Sequence, residues 1–135
     1  MLKIELTIIE KIRTNNFTEA LVAEKIMTLW QTALNKLSEK PEVIYALYDN
    51  YQSDYRGDYD LSIAWSGNQA KGTKEINPNK NYREFLVDPE LEQGVFVKWQ
   101  EIWALEEAGL LVRAYGTDYE IYDNQGNISI FIEIK

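Results

Sequence analysis

The chain has 135 residues, 45% hydrophobic and 27% charged, a composition expected of one globular domain able to bury a core. It contains neither cysteine nor histidine, which excludes disulfides, thiolate chemistry, histidine-dependent triads and the usual zinc sites. A net charge of −8, from 22 acidic and 14 basic residues with no basic stripe, argues against direct nucleic-acid binding and favours cationic small molecules.

The chain opens with MLKIELTIIEKIR, too short and too charged for a signal peptide. No apolar run reaches the ~18 residues of a membrane span, so no membrane association is expected and the expected location is cytoplasmic. KIELTIIEKI reads as a strand with Ile4, Leu6 and Ile8 on one face. A helix is expected from about Phe17 to Leu37, capped by Asn16, with an apolar stripe through Phe17, Leu21, Ile26, Met27, Trp30, Ala33, Leu34 and Leu37. The strands EVIYALYD and YDLSIAW follow, separated by the turn-rich SDYRGD. NQAKGTKEINPNKN is read as a connector, and YREFLV as the next strand. Asp88 and Pro89 suit a helix N-cap and first position, and Gly109 suits the residue just past its end. LVRAYGTDYEIYD and NISIFIEI complete the chain as strands around a DNQG turn.

These elements form a duplication. KIMTLW (25–30) matches KWQEIW (98–103), YALYDN (45–50) matches YEIYDN (119–124), and LSIAW (61–65) matches ISIFI (128–132). The fold class expected is α+β: two β-α-β-β units, about 1–68 and 78–135, in one domain. Half of such a sheet could not bury its own face, so the strands should merge into one curved, barrel-like antiparallel sheet. The two helices should pack on one face, with a pseudo-twofold cleft on the other.

Within the repeated strand, Ala46 in the first copy stands where Glu120 stands in the second. Alternation puts Glu120 beside Tyr122, and Ile121 is expected to meet the helices, leaving Glu120 on the far face. Acids on strands are ordinarily solvent-exposed. An acid among aromatic rings in a dry cleft, however, attracts an organic cation, through charge pairing and roughly 0.5 to 2 kcal/mol from each aromatic face. Candidate ligand-binding residues are therefore Glu120, Tyr122, Tyr48, Trp65 and Trp99. Trp30 and Trp103 occupy equivalent helix positions and are expected in the core, and the acidic EIWALEEAG face is read as solvated. YQSDYRGDYD lacks the spacing of a calcium loop and no glycine-rich phosphate motif occurs, so no metal or cofactor is expected.

RTNN (13–16), YALYDNYQSDYRGDYDLSIAW (45–65), WQEIW (99–103), RAYGTDYEIYD (113–123) and the terminal ISIFIEIK together resemble the GyrI-like small-molecule-binding domains, also called AraC-type effector-binding domains. The resemblance spans the whole chain. It implies a duplicated β-α-β-β fold and an aromatic cleft around a glutamate matching Glu120, often used for lipophilic cations. Many such domains are fused to a helix-turn-helix; none precedes Met1 or follows Lys135, so a stand-alone binder is expected. Its expected partner is a small amphipathic or cationic molecule. Two alternatives are a hydrolase with Glu120 as general base and a module that inhibits a protein partner.

Overall fold

A computed structural model describes residues 3–66 and 72–135. In chain order the elements are β1 (Ile4–Thr14), α1 (Val22–Asn35), β2 (Val43–Asp49), β3 (Tyr59–Trp65), β4 (Gly72–Ile76), β5 (Tyr82–Val87), α2 (Gly94–Glu107), β6 (Asp118–Asp123) and β7 (Ile128–Glu133). One antiparallel sheet joins the strands in the order β4-β1-β3-β2-β6-β7-β5. With β4 set aside, the order is that of two three-stranded halves meeting at β2 and β6. Register confirms the duplication: Ala46 pairs with Ile63 in one half as Glu120 pairs with Ile130 in the other.

β4 lies in the stretch read as a connector. It pairs with Ile4–Ile8 of β1, an edge that β3 does not cover, so the backbone groups there are satisfied. The preceding residues 67–71 of that connector lie outside the described residues.

Both faces of the sheet are buried. On one face, Ile44, Ala46, Leu61 and Ile63 meet Leu29 and Ala33 of α1, and Phe85, Val87, Ile130 and Ile132 meet Trp99 and Ile102 of α2. On the opposite face, Leu6, Leu47, Ala64, Ile76 and Tyr119 form a third cluster, joined by Ile121 and Phe131.

Both helices begin later than their sequence signals suggest. The Asn15 side chain, not that of Asn16, accepts hydrogen bonds from the Phe17 and Thr18 amides at 2.8 and 3.0 Å. That closes a turn, and α1 starts only at Val22. Its core side matches the expected stripe in part: Ala33 is buried and Ile26, Trp30 and Leu37 pack against the core, but Leu29, 2% exposed, joins them, whereas Phe17 and Met27 are 53% and 61% exposed. Asp88 likewise caps a turn, accepting from the Glu90 amide at 3.0 Å, and α2 begins at Gly94 after Gln93 takes a left-handed conformation. A Cβ at Gly94 would lie 2.7 Å from the Asp88 carbonyl, so the close approach requires glycine. Gly109, at φ +73°, ends α2 as expected, with the Leu110 amide donating to the Leu105 carbonyl at 2.9 Å.

The exchange of Met27 for Leu29 on the buried side of α1 has a measurable consequence. Leu29→Ala should cost about 2–5 kcal/mol of unfolding free energy, and Met27→Ala under about 0.5 kcal/mol. Urea denaturation of the two variants checks this; equal losses would mean that α1 presents the other side.

Candidate functional site

The register between β2 and β6 places Ala46 directly opposite Glu120. These are equivalent positions in the two copies, so the pseudo-twofold axis of the sheet passes between them. Opposed side chains on adjacent strands have Cβ atoms about 4.5–5.5 Å apart. Two glutamates here would hold like charges in contact inside a dry site, which disfavours ionising both. The axis has room for one carboxylate, and Ala46 is the residue that makes that room.

Glu120 is held by three neutral donors. The phenols of Tyr48 and Tyr122, twins across the same axis, donate to Oε2 at 2.7 Å and to Oε1 at 2.6 Å. The Trp99 indole Nε1 donates to Oε2 at 2.7 Å. Glu120 is 1% exposed, far from the surface acid that strand composition alone suggests. Burial pushes its pKa up, against the opposing pull of hydrogen bonds from Tyr122, Trp99 and Tyr48. Burial, reinforced by the neighbouring Glu120 charge, also pushes the Tyr48 and Tyr122 phenols well above their ordinary value, so both stay protonated as donors. Among the described residues no lysine or arginine forms an ion pair with Glu120.

The site lies on the helix side of the sheet, a correction to the face expected from the sequence. A cleft of about 560 Å³ runs between α1 and α2, with Glu120, Tyr48 and Tyr122 on the sheet beneath and Trp99 on its α2 wall. Ile121 does reach a core, but it is the third cluster on the opposite face. Because both faces bury apolar side chains, alternation groups Glu120 with Tyr122 without telling which face the helices cover.

Four of the five sequence candidates thus converge: Glu120, Tyr122, Tyr48 and Trp99. Trp65 does not join them. It ends β3 six residues beyond Tyr59, about 20 Å at strand rise, and packs against the α1-side core instead. Trp30 and Trp103 are half-buried and pack against the α1-side and α2-side cores, as expected, and they also wall the cleft; Trp30 meets Tyr122 edge-on at 4.8 Å, and Trp103 stacks on Tyr55 at 5.6 Å.

A second buried polar cluster flanks the cleft and was not anticipated. The Arg113 guanidinium donates to Asp118 at 2.6 Å, to Glu106 at 2.8 Å and to the Tyr51 hydroxyl at 3.1 Å. It also lies over the rings of Tyr115 and Trp99, at 4.4 and 5.7 Å from their centroids. Burial would lower its pKa, but Tyr51, Asp118 and Glu106 outweigh that effect and keep it charged. Glu106 therefore leaves the acidic face that was read as solvated. The available signal was a lone arginine within the apolar LLVRAYG. The described residues contain no group of three or more acidic side chains placed to hold a metal ion, and no helix long and apolar enough to cross a membrane.

A carboxyl whose folded pKa lies above its unfolded one adds stability that is complete below the unfolded value, near 4.5, and lost as pH rises through the folded value. Glu120→Gln removes that loss. Its melting temperature relative to the parent should rise between about pH 5 and pH 8. A relative fall over the same range, measured by thermal denaturation, would show that the three donors outweigh burial.

No family model matches the chain. It is 28% identical over 143 aligned positions, 91% of this chain and 88% of the relative, to a Bacillus subtilis (strain 168) protein named "Putative transcriptional regulator protein YobU". Its structure is similar to the crystal structure of an integron cassette protein from the mobile metagenome of Vibrio cholerae, with a TM-score of 0.80 and 26% identity, covering all of this chain and 92% of that one.

Proposed function

We propose that this protein binds a small amphipathic organic cation in the cleft between its helices, to sense or sequester it, with Glu120 as counter-ion. One observation carries the reading: a carboxylate buried at the pseudo-twofold axis has three neutral donors and, among the described residues, no cation paired with it. Burying an unpaired charge is costly, and a ligand cation restores the pairing where the solvent has been removed. The rings of Tyr48, Tyr122 and Trp99 around it supply cation–π attraction of roughly 0.5 to 2 kcal/mol each when desolvated. A ligand-responsive role also suits a relative named as a transcriptional regulator, and the site agrees with the aromatic cleft that the resemblance to GyrI-like domains implies. The net charge of −8 disfavours direct contact with nucleic acid.

The hydrolase reading has weaker support. Three hydrogen bonds occupy most of the carboxylate's lone pairs and stabilise its charged form, which suits a counter-ion better than a base that must accept a proton from water.

Calorimetric titration with benzyltrimethylammonium tests the proposal. The parent should bind it, and Glu120→Gln should weaken binding at least about tenfold, the equivalent of roughly 1.4 kcal/mol. Parent affinity should also fall as pH drops through the raised Glu120 pKa, because protonation removes the counter-ion. Equal affinity of parent and variant would exclude the counter-ion role.

A further inference from the structure

The two helices meet the cleft at matched positions of the duplication. Val22 of α1 corresponds to Val95 of α2, and Trp30 to Trp103; all four line the cleft, and these two pairs are alike. Two further matched lining pairs differ, in one direction. Ala23 faces the cleft where its twin is Phe96, and Ile26 where its twin is Trp99. On the sheet the same bias recurs at the axis, with Ala46 on one side and Glu120 on the other. At these three unlike pairs the first copy carries the smaller side chain.

The α2 half of the cleft is filled by rings from both copies. Trp99 packs 5.0 Å from Tyr48 and bonds Glu120, and Trp103 contacts Phe17, Tyr55 and Phe96 at 5.2, 5.6 and 6.2 Å. On the α1 side, Trp30 has one ring contact among the described residues, with Tyr122. Ala23 remains exposed beside it, and Ile26 and Val22 half-buried.

Building on the cation-binding reading, we infer that the ligand is polar-ended and lies to one side of the axis. Its compact ammonium head sits at Glu120, and a flat body of two or more fused rings extends over the α1 half, against Ala23, Ile26 and Trp30. Ala23 and Ile26 are then the residues that set ligand size, each by being smaller than its twin. A flat ring body meets two requirements here: it buries apolar area against aliphatic side chains, and it presents a face or edge to Trp30.

Two cations sharing one head group test this, benzyltrimethylammonium with one ring and naphthylmethyl-trimethylammonium with two. The variants restore the twin residue: Ala23→Phe, on an exposed position that the core does not depend on, and Ile26→Trp. Calorimetry should show the parent preferring the two-ring cation. Each variant should lose about tenfold or more of its affinity for that cation and less than about threefold for the one-ring cation. Unchanged two-ring binding in Ala23→Phe overturns the inference, because the body would then not lie on the α1 half. An equal loss of both cations in a variant that melts like the parent also overturns it, since the effect would then be at the axis. Failure of the parent to bind either cation, or equal binding of both by Glu120→Gln, fails at an earlier step and removes the cation reading itself.

Discussion

Everything in the candidate site follows from one cross-strand pair. A duplicated unit whose halves join through β2 and β6 must place some residue opposite its own twin, and here the pair is Ala46 and Glu120. Symmetry supplies two tyrosines aimed at the axis, Tyr48 and Tyr122, and electrostatics permits one acid between them. The departure from symmetry is therefore a condition of the site. A strictly repeated sequence would have either two repelling carboxylates or none.

The two buried polar groups of the cleft contrast instructively. Arg113 is enclosed by Asp118, Glu106, Tyr51 and aromatic faces, so its charge is compensated within the fold. Asp118 is anchored in turn by the Glu133 amide at 2.8 Å and the Tyr51 hydroxyl at 2.5 Å. Both terminal nitrogens of Arg113 are bonded, although its buried Nε has no partner among the described residues, and such a charge-paired network rigidifies the wall it belongs to. Glu120 has donors but, among the described residues, no ion-pair partner. The first arrangement holds structure together, whereas the second stores an unmet interaction beside an open cavity.

Much of the architecture was legible in the chain, because duplication and alternation are local patterns. The order of elements, the end of α2 at Gly109 and the grouping of Tyr48, Tyr122 and Glu120 all rest on spacing that a reader can count. The helix starts were misread for a physical reason. Asn and Asp side chains cap isolated turns by the same hydrogen bonds with which they cap helices, as Asn15 and Asp88 do. β4 was missed because an edge strand of five residues needs little hydrophobic pattern when its partner supplies the pairing.

The sequence by itself determined that the protein is two copies of one β-α-β-β unit and that one copy carries an acid where the other carries alanine. Order and composition are carried by the chain, and no packing can alter them. Tertiary structure alone decided that those two residues face each other, because register between strands far apart in the chain is set by how the halves dock. It also decided which face of the sheet the helices cover. Period-two alternation assigns residues to a common face, but when both faces bury apolar side chains it carries no label for the inner and outer one. The same limit kept Trp65 among the candidates and left Arg113 out. Position along a strand and convergence from separate loops are distances in space, and those exist only once the chain has folded.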